Sequence, residues 1–121
     1  MAAPLMIAEV EGVKVVTFQT LSILDPIEVE IIGRQLCELV DEQARRKILL
    51  DFHKVRQLSS QMLGALIKLD KKSKAIKGKV VLSGLRPEIA KVFEVTRLNK
   101  ILHIVADEQE AMSCFDGLRG G

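Results

Sequence analysis

The spacing of hydrophobic and polar positions changes several times along the chain, and each change marks an element. Residues 5–9 and 13–18 are rich in β-forming side chains and are separated by Glu11-Gly12, a pair suited to a tight turn, so the chain is predicted to open with a hairpin. From Pro26 to about Arg45 the spacing is helical, with Ile27, Ile31, Ile32, Cys37, Leu39 and Val40 expected on the core side. Asp25 before Pro26 is a good N-cap with proline at the first helical position, where the missing N–H has no partner to lose. The run Lys47-Ile48-Leu49-Leu50-Asp51-Phe52 is short and nearly continuously apolar, which predicts a strand buried on both faces of a parallel sheet.

A polar loop is expected next, and then a second helix. Met62, Leu63, Leu66, Ile67 and Leu69 would line its inner face, with Lys68, Lys71, Lys72 and Lys74 pointing away. Gly78 is the expected left-handed residue that ends it. Val80-Val81-Leu82 reads as a strand, Pro87 to Val95 as a short helix, Ile101 to Val105 as a last strand, and Asp107 to Phe115 as a final helix capped by Asp107 and Glu110. The predicted fold class is therefore α/β: a hairpin, then repeated helix-strand units forming a mostly parallel sheet of about five strands with about four helices. No internal stretch is rich in Pro, Gly or Ser, so one domain is expected over residues 1–121, with 117–121 as a frayed tail.

Composition narrows the chemistry. With 121 residues and 48% hydrophobic content the chain can bury a sizeable core without disulfides or a structural metal. Only 3% of residues are aromatic, and Phe18, Phe52, Phe93 and Phe115 are expected to fill the core rather than stack on bases. A net charge of +2 is too small for a nucleic-acid domain, so no direct nucleic-acid partner is expected. No apolar run approaches the roughly 18 residues of a membrane span, and the start lacks the layout of a signal peptide, which predicts a cytoplasmic protein with no membrane partner. Cys37 and Cys114 lack CxxC spacing and read as reduced small hydrophobes.

An enzyme finds little support. His53 and His103 have no Cys or Glu at ligand spacing, so neither a metal site nor a nucleophile-base pair is indicated, and no cofactor is expected. The glycines form neither GxGxxG nor GxxxxGK[ST]. Asp51 ends the central strand as the phospho-accepting aspartate of response-regulator receivers does. However, Leu21, Ser22 and Ile23 occupy the place of their acidic pair, and Ser83-Gly84 the place of their lysine. Asp51 is expected to bond backbone amides at the strand end.

The informative stretch is Gln57-Leu58-Ser59-Ser60-Gln61-Met62-Leu63-Gly64. It resembles the STAS-domain anti-sigma factor antagonists, bacterial partner-switching proteins in which the corresponding segment commonly reads Asp-Ser-Ser-Gly-Leu-Gly and the first serine accepts a phosphate. Matching the Ser-Ser pair would make Ser59 the acceptor. Matching Leu63-Gly64 makes it Ser60 and needs no gap from Asp25 through Gly78 to the Pro87, Phe93, Thr96 and Leu98 pattern that the family also has. Ser60 is preferred, with Ser59 second. Ser59, Met62 and Arg97 depart from the family's aspartate and glycines.

The resemblance implies a non-enzymatic switch that binds an anti-sigma factor serine kinase, frees a sigma factor, and is turned off by phosphorylation at Ser60 and reset by a metal-dependent serine phosphatase. Transcription control in a stress response is implied. ATP and Mg²⁺ would belong to the kinase; Asp25, Ser59, Gln61 and Met62 would form the docking surface, on a monomer or weak homodimer. A hydroxyl at a helix start suits this role, because the same free N–H groups it can cap can also receive phosphate oxygens. The alternatives are a constitutive adaptor or assembly subunit that is never phosphorylated, and a small-ligand or nucleotide-binding module. The lysine face reads as a solvated exterior or as a means of steering an acidic partner.

Overall fold

The computed structural model describes residues 5–115; the expected frayed tail at 117–121 lies outside them. In chain order the elements are β1 (Leu5–Val10), β2 (Val13–Phe18), β3 (Ser22–Ile23), α1 (Pro26–Asp41), β4 (Lys47–Asp51), β5 (Gln57–Leu58), α2 (Ser60–Ala75), β6 (Lys79–Ser83), α3 (Pro87–Val95), a 3₁₀ turn at Leu98–Lys100, β7 (His103–Val105) and α4 (Glu108–Cys114). Five strands form one sheet in the order β1-β2-β4-β6-β7. The β1–β2 hairpin is antiparallel, with Val10 opposite Val13, and β2, β4, β6 and β7 run parallel. This is the predicted α/β arrangement.

Alternation along the strands divides the interior in two. Val16, Phe18, Ile48, Leu50, Val80 and Leu82 face α1, α2 and α3 in the larger core. Val13, Val15, Leu49 and Val81 face α4, which contributes Ala111, while Phe115 closes the smaller core just beyond it. Strands β4 and β6 are thus buried on both sides, and this explains their unbroken apolar runs. All four phenylalanines lie inside, with Phe18 and Phe52 in contact at 4.6 Å between ring centroids. Edge strand β1 is mostly exposed, Met6 at 58% and Ile7 at 42%.

Some boundaries and core positions differ from the sequence reading. Helix α1 ends at Asp41, short of Arg45, because Ala44 turns the chain with φ of 51° and the Arg45 N–H bonds to the Leu39 carbonyl at 2.8 Å. Its inner stripe is Val29, Ile32, Leu36, Leu39 and Val40; Ile27, expected inside, is 70% exposed. After α2 the left-handed residue is Lys77, with φ of 61°, not Gly78. Gly78 is needed for a different reason. A Cβ there would lie 2.7 Å from the Ser73 Oγ and 2.9 Å from the Arg46 carbonyl oxygen, closer than atoms approach without displacement.

Candidate functional site

The loop after β4, read as irregular from the sequence, contains β5, and β5 pairs in parallel with β3 as Ser22 against Gln57 and Ile23 against Leu58. The Leu21 carbonyl accepts the N–H groups of Arg56 at 2.7 Å and Gln57 at 3.2 Å, and the Ile23 carbonyl accepts that of Ser59 at 3.0 Å. Ser22 adds a hydroxyl bond to the Gln57 side chain at 3.0 Å. Each strand of this small pair leads into a helix, so the pair holds the first turns of α1 and α2 side by side. A bond of 3.4 Å from the Gln61 Nε2 to the Pro26 carbonyl ties the two starts directly.

Both helix starts are capped, the first by the Asp25 that the sequence predicts and the second by Ser59. Asp25 Oδ1 accepts the Ile27 N–H at 2.9 Å, and proline occupies the first position of α1. Ser59 is extended, with φ of −84° and ψ of 161°, and its half-buried hydroxyl accepts the Met62 N–H at 3.1 Å. Ser60 is the first residue of α2, and its side chain is exposed. The N–H groups of Ser60 and Gln61 fall in the first turn, where no preceding carbonyl is within helical reach, so together with the helix dipole they present positive charge beside the Ser60 hydroxyl. The two serines therefore differ chemically: one hydroxyl is committed to the backbone, and the other is open to solvent.

The structure brings Asp25, Ser59, Ser60 and Gln61 to one end of the molecule, with Asp25, Ser60 and Gln61 exposed. Met62 is corrected. Its side chain is fully buried in the larger core and cannot supply the apolar contact expected of it. The period explains this, since Met62, Leu66 and Leu69 share one inward stripe of α2. The exposed apolar side chains beside the site are instead Leu21 at 58%, Leu24 at 47% and Ile27 at 70%. The signal for Ile27 is its place directly after the cap and proline, in the first turn of α1.

Other singled-out residues lie elsewhere. The Asp51 carboxylate accepts the His53 N–H at 3.0 Å, as a strand-end aspartate was expected to do, and also meets the His53 ring at 2.9 Å. The lysines of α2 are not all free cations. Lys72 reaches Asp41 of α1 at 2.9 Å, and this hydrogen bond raises its pKa, while Lys74 pairs with buried Asp70 at 2.9 Å. Among the described residues no group of three or more His, Cys, Asp or Glu is placed to hold a metal ion, and no helix is long and apolar enough to cross a membrane.

The STAS domain family model matches residues 5–111. Among solved structures, the chain resembles an anti-sigma-factor antagonist (STAS) domain protein from Planctomyces limnophilus at 23% identity and a TM-score of 0.81, covering 94% of this chain and 98% of that one. It resembles the Bacillus cell fate determinant SpoIIAA in its phosphorylated form at 20% identity and a TM-score of 0.69, covering 90% and 96%. A third likeness is to the murine Solute Carrier 26 family member A9 anion transporter, at 17% identity and a TM-score of 0.71, covering 91% of this chain and 18% of the transporter. At such identities the structural likenesses speak for the fold, and the family match extends over all seven strands and most of the helices. The chain belongs to the STAS domain family.

Proposed function

We propose that this STAS domain is a non-enzymatic, cytoplasmic anti-sigma factor antagonist of 1–121 as one domain, which docks on an anti-sigma factor serine kinase and is released by phosphorylation of Ser60. The observation that carries the reading is the division of labour at the start of α2: Ser59 caps the helix, leaving the exposed Ser60 hydroxyl free to be modified. Phosphate there adds about −1.5 to −2 charge without removing the cap, so the domain stays folded while its docking face becomes strongly anionic. Asp25 beside it would increase the repulsion against any acidic partner group. Ser59 and Gln61 frame the acceptor, and Leu21, Leu24 and Ile27 supply apolar contact area. Met62 supports this face from beneath. A metal-dependent serine phosphatase would restore the binding form, and the output would be transcription control in a stress response.

Intact-mass measurement after incubation with the cognate kinase and ATP tests the site. One phosphate on the wild type and none on Ser60→Ala is the expected result; a phosphate retained by Ser60→Ala moves the site to Ser59 or elsewhere. Ser60→Asp is expected to weaken kinase binding at least about tenfold, the scale of one buried charge left unpaired.

A second reading is favoured by one observation, the likeness to a domain that forms a small part of an anion transporter. In that reading the domain is a constitutive adaptor or assembly subunit, and Ser60→Asp leaves partner affinity unchanged.

A further inference from the structure

Helices α1 and α2 lie side by side, and a groove of about 710 Å³ runs between them. The bond from Gln61 to the Pro26 carbonyl crosses it at the Ser60 end, and the ion pair of Lys72 with Asp41 at 2.9 Å crosses it at the other. At about 1.5 Å per residue, the stretch from Gln61 to Lys72 is about three helical turns long. Gly64 lies on this groove one turn beyond Ser60, on the same side of α2. A glycine inside a helix destabilises it relative to alanine, so its presence calls for a cause. The fold supplies none: among the described residues, a Cβ at Gly64 would meet no atom within 4 Å. Gly33 on the facing helix differs, since a Cβ there would touch that of Ala65 at 3.5 Å. The walls of the groove also carry opposite charge. On α1, Glu30 pairs with Arg34 at 3.6 Å and Asp41 with Lys72, which leaves Glu38 and the adjoining Glu42 exposed and without an ion pair among the described residues. On α2, Lys68 is the exposed lining cation in the same condition.

We infer that this groove continues the docking face and seats an amphipathic helix of the anti-sigma factor kinase, with its basic edge against Glu38 and Glu42 and its acidic edge against Lys68. The inference rests on the docking reading given for Ser60 and names the partner element that meets this chain. A helix docks in a groove by laying side chains along the floor and charged edges along the rims. The open space above Gly64 lets the incoming side chains reach the backbone of α2, and this supplies the cause that the isolated fold lacks. The opposed rims set the helix in one orientation, because the reversed one would place like charges together on both sides. The stripe from Ser60 to Gly64 makes groove and acceptor one continuous surface, so a helix held in the groove brings the body of the kinase over the Ser60 hydroxyl.

The test measures the affinity of the full chain for its cognate kinase without ATP, together with the rate at which N-ethylmaleimide labels each cysteine in the complex. Cys37 lines the groove. Cys114, at the end of α4 with its Sγ 3.4 Å from the His103 Nε2, lies outside it and serves as the internal reference. Bound kinase should slow the labelling of Cys37 at least about tenfold, since a thiol must be accessible to react, and leave the Cys114 rate unchanged. Gly64→Leu, which fills the groove, should weaken binding at least about tenfold while melting no lower than the wild type, because leucine favours a helix over glycine. Glu38→Lys combined with Glu42→Lys should slow association about tenfold at low ionic strength and much less in high salt. Full reactivity of Cys37 in the complex, or wild-type affinity of Gly64→Leu, overturns the groove as the seat, and phosphorylation of Ser60 on adding ATP then still upholds the docking reading. A kinase that fails to bind the wild-type chain removes both together.

Discussion

Arg97 adopts the left-handed conformation, with φ of 61°, just before the 3₁₀ turn at Leu98. A side chain in that region crowds the following carbonyl, whereas glycine does not. The family's glycine at this place thus has a backbone cause, and Arg97→Gly is expected to raise stability by up to about 1 kcal/mol, measured by urea denaturation; a loss of stability would show that the Arg97 side chain packs to greater effect than its strain costs. Gly78→Ala should do the reverse. Its Cβ would press on the Arg46 backbone and the Ser73 hydroxyl, costing about 1–3 kcal/mol as overpacking. The glycine was legible as the end of a helix, but periodicity carries no information about which neighbouring strand passes close by. Lys77 takes the turn conformation that the helix-end pattern assigns to Gly78. The same limit placed Ile27 inside, whereas periodicity set Met62 correctly on the inner face of α2 and only the family resemblance moved it to the docking surface.

At the level of elements, the two serines make separable predictions. Ser59→Ala removes the cap on the Met62 N–H and should cost about 1 kcal/mol, whereas Ser60→Ala, on an exposed side chain, should stay within about 0.5 kcal/mol. Thermal or urea melts of the two variants measure this difference, and equal losses would contradict the assignment of Ser59 as the cap. Asp25 with Pro26, and Asp107, were readable as helix starts because capping is local chemistry, whereas the sequence left the cap of α2 open between Ser59 and Ser60. The β3–β5 pair was not readable. Two residues per strand leave no alternation to detect, and their pairing depends on segments 35 positions apart. The site as a surface therefore emerged only when these strands aligned the two helix starts.

For the molecule as a whole, element order and the parallel sheet were legible because β4 and β6 carry uninterrupted apolar runs between amphipathic helices. The meeting of His103 with Cys114 was not, since it depends on α4 folding back across the far face. Alkaline stability also belongs to this scale. Burial raises the Cys37 pKa above 9.0, and the bond to Asp41 raises that of Lys72 above 10.5, so the folded state holds both protons more tightly than the unfolded chain. Below pH 9 both groups are protonated in both states and their contribution is intact. Above it the unfolded thiol ionises first, then the unfolded lysine, and stability falls. The melting temperature should be level from neutrality to about pH 9 and decline beyond, with a shallower initial decline in Cys37→Ala; identical profiles would remove the thiol from this account.

The hairpin has a further practical consequence. Strand β1 forms one margin of the sheet, five of its six residues are apolar, and its single charge, Glu9, is drawn to Arg45 at 2.7 Å and Lys14 at 3.5 Å. Such a margin lacks the prolines and outward lysines that discourage strand-to-strand aggregation. Concentrated stocks should lose monodispersity on storage in light scattering, and Met6→Lys should extend their shelf life without altering the melting temperature.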